Sequence, residues 1–242
     1  MKPHELQALV EPDRVHRDVY LSPALFELEQ RYLFTRTWLY VGHASQVPNP
    51  GDFITVELAG QPVLLIRQAD QSLRVLANRC AHKGAMITAL PSGNVGRALR
   101  CPYHAWSFRL DGRLLAVPMP AGYESTQMRE SVTGQGLRVI ASAEHRGFVF
   151  ARLAADGPSF EEHVGPVLFA IDALADRSPQ GELEVAGPPL RNIIACNWKI
   201  YLENINDTVH APVAHAALDA LRTGIELDDG VTAPADVTAL AS

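Results

Sequence analysis

The chain has little cysteine, no long apolar run and no excess of positive charge. Only Cys80, Cys101 and Cys196 occur among its 242 residues, too few for a disulfide framework. A reducing, cytoplasmic setting is therefore expected, and any cysteine chemistry has to involve a metal or catalysis. No stretch approaches the roughly 18 uninterrupted apolar residues of a membrane span, and the opening MKPHELQALVEPDR lacks the apolar segment of a secretory leader. Acidic residues outnumber basic ones, 27 to 21, for a net charge of −6, which argues against a nucleic-acid-binding surface. Aromatic residues are sparse at 7%, yet 47% of the chain is apolar, enough for a buried core in one or two domains. There is no internal repeat.

What is present changes character along the chain. Leu25, Leu28, Tyr32 and Leu33 recur at helical spacing, with Ser22 as N-cap and Pro23 just inside, so Pro23 to Phe34 is expected to form an amphipathic helix. From Trp38 to about Arg152, short apolar runs (FITVEL, PVLLIRQ, LRVLANR, GLRVIASAEH, GFVFARL) alternate with Gly, Pro, Asn and Asp. That texture predicts a small antiparallel β domain. A helix entered from Pro158 should follow, then a strand over LRNIIACNW and a helix over KIYLENINDTVHA. Cys196, flanked by apolar residues on that strand, reads as a core residue, and the tail from about Leu227 as frayed.

Cys80-Ala81-His82 and Cys101-Pro102-Tyr103-His104 each combine one thiolate with one imidazole, at the ends of two expected strands. Two loops of this kind each supply sulfur to one iron and nitrogen to its neighbour, the ligand set of a Rieske [2Fe–2S] centre. A tetrahedral zinc site accepts the same four residues, although familiar zinc spacings pair Cys with Cys and His with His. Two unrelated buried cysteines are the bland alternative. Two ferric ions, two sulfides and two thiolates sum to zero charge, so neutral imidazoles favour electron uptake relative to four-cysteine clusters. Neither loop carries a second cysteine, and Ala105-Trp106 follows the second histidine where respiratory Rieske proteins have Gly-Ser. A reduction potential toward the low end for such centres is expected. Around the loops, Arg79, Lys83, Arg97, Arg100, Arg109 and Arg113 face only one acid, Asp111, a local excess suited to an acidic electron donor.

A second constellation runs from Asn197 to His215. On a straight helix Glu203, Asp207 and His210 share one face, and His215 joins it only if the helix bends or stops, as Pro212 allows. Two neutral imidazoles so presented suit a mononuclear ferrous ion completed by one carboxylate. A solvent-facing amphipathic helix is the plainer reading of the same residues. An iron–sulfur motif upstream favours the metal, because a one-electron relay needs something to reduce.

Together, Cys80, His82, Cys101 and His104, the surrounding CPYHAWSF and the NWK…EN…D…H…H series ending at His210 and His215 resemble the N-terminal part of a Rieske non-haem iron ring-hydroxylating oxygenase α subunit. The likeness runs from about Tyr20 to His215. It implies an α+β fold, in which a Rieske-type antiparallel β domain accompanies an incomplete helix-grip catalytic domain. The implied division is 1–37 for an N-terminal helical segment of the catalytic part, 38–153 for the Rieske domain and 154–242 for the start of the catalytic domain. The resemblance also implies a [2Fe–2S] cluster and mononuclear Fe(II), a ferredoxin or flavin reductase as electron donor, a homotrimer with or without β subunits, and a small aromatic substrate. Asp207 matches the residue that bridges the two metal sites through the second Rieske histidine, here His104.

In that family the iron's carboxylate ligand comes from much later in the chain, and none of Asp219, Glu226, Asp228, Asp229 or Asp236 stands in a matching context. The expectation is a truncated chain that loads its cluster and does not hydroxylate alone. A stand-alone Rieske electron carrier and a zinc-stabilised binding module remain the other two readings. His43, His145 and His163 have no partner spacing and are expected to be structural.

Overall fold

The structure, a computed structural model, describes residues 2–123, 135–210 and 214. The chain falls into two compact units, one made of residues 26–189 and the other joining the first 25 residues to the segment from Leu190 onward. Every strand pair is antiparallel, and the architecture is α+β.

In the larger unit a seven-stranded sheet runs, edge to edge, through Leu39–His43, Phe148–Arg152, Val139–His145, Leu73–Ala77, Gln61–Arg67, Asp52–Leu58 and Ser92–Asn94. Successive side chains of a strand point to opposite faces, and here both faces are covered. Leu64 and Ile66 join Phe53 and Leu76 in one apolar cluster, while Val63 and Leu65 join Ile54 and Val75 in another. That is why the interior strand Gln61–Arg67 reads as a continuous apolar run over residues 62–66. The first of these clusters also contains Cys80, Cys101, Trp106 and Phe108, so the core that stabilises the sheet is the same core that holds the cysteines.

The hairpins are closed by two-residue turns. Ala59-Gly60 joins Leu58 to Gln61, and Arg146-Gly147 joins His145 to Phe148, all four turn residues having positive φ. Such turns follow the right-handed twist of the flanking strands. A smaller sheet, Leu114–Ala116, Ser107–Arg109 and Ala98–Arg100, presents the segment 101–106 as the connection of one of its hairpins.

Several expected elements form differently. The helix at Pro23–Glu29 begins as foreseen, with Ser22 Oγ accepting from the Leu25 N–H at 3.3 Å, but widens into a π-helical turn over Gln30–Phe34. The helix after Pro158 is capped by Ser159, whose Oγ accepts from Glu162 N–H at 3.1 Å, and breaks at Gly165-Pro166 before resuming at Leu168–Ala175. No strand forms over LRNIIACNW. Leu190 and Ile193 are fully open to solvent, and Cys196 is exposed, which corrects its assignment to a core. An apolar run makes a strand only when another strand accepts its backbone hydrogen bonds.

The three histidines without partner spacing are tied into the scaffold. His43 is buried and places Nδ1 2.9 Å from Ser45 Oγ; His145 pairs with Asp172 at 2.7 Å, and His163 with Thr37 at 2.8 Å. Among the described residues, no helix is long and apolar enough to cross a membrane. His215 and the tail from Leu227 lie outside the described residues.

Candidate metal centre

The two Cys-His loops have the same backbone design. In the first, Cys80 N–H donates to the Ala85 carbonyl at 2.8 Å and Gly84 N–H donates back to the Cys80 carbonyl at 2.9 Å. In the second, Cys101 N–H donates to the Trp106 carbonyl at 2.8 Å and Ala105 N–H to the Cys101 carbonyl at 3.1 Å. Each six-residue loop is thus clasped across its base, and its fifth residue takes a positive φ, 70° at Gly84 and 55° at Ala105.

The bases are fixed in different ways. The second loop sits on paired strands, with Arg100 opposite Ser107. The first relies on Asn78, whose buried carboxamide accepts from Ile87 and Thr88 N–H and donates to the Thr88 carbonyl at 2.8 Å. Asn78 stands in for the missing strand partner. Its role was not read from the sequence, where the signal was a lone amide at the end of an apolar strand.

Ala105 occupies a backbone region that costs an L-residue about 1–2 kcal/mol, whereas glycine gives back roughly 0.5–1 kcal/mol in unfolded-chain entropy. Ala105→Gly is therefore expected to stabilise the loaded protein by about 0.5 kcal/mol, read by urea unfolding. A loss of stability would show that the alanine methyl contributes packing that outweighs its strain.

Side chains from the two loops converge. Cys80 and Cys101 are 4% and 2% exposed and lie in the same apolar cluster. Burial pushes the Cys80 thiol above its ordinary pKa; the His82 and Lys83 backbone N–H groups point at the sulfur and pull the other way, and the Cys101 thiol adds to the rise. Two buried thiols side by side, with donors already aimed at one sulfur, suit a group that replaces their protons with metal. The His82 and His104 rings stand 4.8 Å apart. Burial, with smaller contributions from His104 and Lys83, holds His82 below the usual histidine pKa, favouring the neutral imidazole a metal requires.

The surroundings of the two imidazoles differ. Trp106 lies parallel to His82, 4.7 Å away with an interplanar angle of 4°, and is fully buried. The exposed Tyr103 ring lies 3.7 Å from His104. Arg79, Lys83, Arg97, Arg100 and Arg109 are exposed around the loops, while Arg113 is paired with Asp111 at 2.6 Å. Among the described residues no three His, Cys, Asp or Glu side chains gather as for a single ion. A [2Fe–2S] centre of this ligand type asks for two protein ligands at each iron.

In the smaller unit the helix Trp198–Asn206 ends one residue before Asp207, which is extended. Asp207 meets His210 through a turn and not through helical periodicity. Its Oδ1 accepts from Val209 N–H at 2.8 Å and His210 N–H at 3.2 Å, and its Oδ2 lies 3.7 Å from His210 Nδ1. Those backbone N–H groups hold the Asp207 carboxyl below the ordinary carboxylate range. His210 Nε2 is 3.2 Å from the Asn204 amide, and Glu203 accepts from the Tyr20 hydroxyl at 2.7 Å. The second imidazole of the pair, His215, lies outside the described residues.

Comparison with known proteins places these features in context. Residues 37–132 match the model of the Rieske [2Fe-2S] domain. Over 203 residues the chain is 37% identical to the large subunit of anthranilate 1,2-dioxygenase from Acinetobacter baylyi, covering 84% of this chain and 42% of that protein. It is 33% identical over 217 residues to the α subunit of toluate 1,2-dioxygenase from Pseudomonas putida, covering 87% and 47%. Among solved structures, naphthalene 1,2-dioxygenase from Rhodococcus sp. bound to indole superposes with a TM-score of 0.79 at 27% identity, over 92% of this chain and 48% of that one. The chain thus spans about half the length of the relatives it matches.

Proposed function

Because this chain belongs with the Rieske ring-hydroxylating oxygenase α subunits, matching their N-terminal part, we propose that it is the electron-accepting portion of a terminal oxygenase whose complete reaction is O2-dependent hydroxylation of a small aromatic substrate. The observation that carries this reading is the meeting of Cys80, His82, Cys101 and His104 from two identically clasped loops.

In this reading Cys80 and Cys101 ligate one iron and His82 and His104 the other, and the cluster supplies one-electron uptake and release when bound. The chain's own contribution is positional. The main-chain clasps set the reach from each cysteine to its histidine, and the apolar core around both thiols keeps water from the sulfur side. The exposed cations Arg79, Lys83, Arg97, Arg100 and Arg109 give the loop end a positive field that draws in an acidic ferredoxin or flavin reductase. Residues 38–153 constitute the Rieske domain, with 1–37 and 154–242 belonging to the catalytic part.

His210 and His215 are proposed as two ligands of a mononuclear Fe(II), with Asp207 as the link toward His104 of another subunit in a trimer, with or without β subunits. The turn that ties Asp207 to the backbone of His210 supports a fixed relation between those two side chains. The third iron ligand is unassigned, and no step at that metal is derived.

Metal and acid-labile sulfide analysis, with electron paramagnetic resonance of the dithionite-reduced protein, tests the assignment. Two irons and two sulfides per chain with a Rieske-type rhombic signal are expected. A colourless protein carrying a single zinc would replace this reading with that of a zinc-stabilised module.

A further inference from the structure

The two loops match in backbone but not in what touches their histidines. At the position where the first loop has Ala85, the second has Trp106, and its indole reaches across to lie flat on His82, the histidine of the other loop. Among the described residues, no side chain of the first loop lies flat on His104, which is exposed and has the rings of His82 and Tyr103 beside it.

Trp106 is 0% exposed, and its Nε1–H has no hydrogen-bond partner among the described residues. An unmade hydrogen bond at a buried donor costs free energy that phenylalanine would avoid in the same core. The indole is part of the same apolar cluster as Phe108 and Leu137, and Tyr123 meets it edge-on at 6.3 Å. It therefore has little freedom to leave the imidazole.

We propose that Trp106 is a positioning residue that fixes the ring plane of His82 and shields one face of that imidazole from water, so that the two histidines are inequivalent: His82 half-buried and held, His104 exposed and free to respond to a partner. The proposal rests on the Rieske assignment. It extends that assignment to electron affinity, since uptake of one electron adds a negative charge that nearby water stabilises. A shielded, braced His82 keeps the potential low.

The test is a redox titration of the loaded protein, followed by electron paramagnetic resonance, on wild type, Trp106→Phe, Trp106→Leu and Leu65→Ala. The phenylalanine variant retains a flat ring and is expected to stay within about twofold of wild type in its electron-uptake equilibrium. The leucine variant loses the stack and admits water, and is expected to favour the reduced form about tenfold, equivalent to ~59 mV for a one-electron couple, with altered g values. Leu65→Ala damages the apolar cluster on the other face of the sheet, which contains neither the cysteines nor Trp106, and should lower thermal stability without moving the potential. Failure of the leucine variant alone to hold its cluster, while Leu65→Ala loads normally, supports the same role. An unchanged potential and spectrum in Trp106→Leu, or a shift of equal size in Trp106→Phe or Leu65→Ala, overturns the proposal while leaving the Rieske assignment intact. A wild-type protein without the [2Fe–2S] signature overturns both.

Discussion

Replacing Cys101 by serine is expected to reduce bound iron and the reduced-state paramagnetic signal to less than about a tenth of wild type, because a thiolate is the ligand this site is built to supply. Cys101 is 2% exposed and shares its apolar cluster with Cys80, so solvent has little access from which to supply a substitute ligand. The serine hydroxyl would also sit in an apolar cluster with its hydrogen-bonding capacity poorly used, at a cost of about 1–3 kcal/mol. Cys196→Ser is the matched control. That thiol is exposed, and its loss should leave iron content and melting temperature unchanged. Retention of a full cluster signal by Cys101→Ser would remove this residue from the ligand set.

The largest purely structural effect is expected at Gly147. It forms the second residue of the two-residue turn between Val139–His145 and Phe148–Arg152, with φ of 86°, and a Cβ placed there would run into the His43 imidazole. His43 cannot step aside cheaply. It is buried, holds Ser45 through Nδ1 and packs edge-on against Phe148 at 5.1 Å. Gly147→Ala therefore combines a left-handed backbone penalty of about 1–2 kcal/mol with overpacking of about 1–3 kcal/mol. A total near 3 kcal/mol corresponds to a fall in melting temperature of roughly 6–12 °C for a protein of this size. Gly60 separates the two terms: its φ is 76°, but nothing lies within 4 Å of an added Cβ. Gly60→Ala should cost only the backbone part, and equal losses at the two positions would show that the His43 contact has no energetic weight.

What could be read from the sequence was local. The strand runs at 52–58, 61–67 and 139–152 announce themselves because apolar residues and turn residues alternate within reach of one another. The four loop residues stood out because their spacing is chemical and short. Asn78 and Trp106 did not, because an amide that replaces a strand and an indole that crosses to the other loop are defined only once distant segments meet. The expected strand around Ile193 failed for the opposite reason: its composition is strand-like, but among the described residues no strand pairs with it. The closeness of Asp207 and His210 was anticipated on helical spacing, yet it arises from a turn that stops the helix.

The main-chain clasp at the foot of each loop has a broader implication. Since the bonds between Cys80 and Ala85 and between Cys101 and Trp106 use only amide and carbonyl groups, the outward side chains of Ala81, Lys83, Pro102 and Tyr103, all exposed, are not needed to keep each cage closed. Partner choice and cage integrity are written in separate atoms, so the loop tips can be re-lettered for a different redox partner by substitution or selection while the metal seat stays as it is.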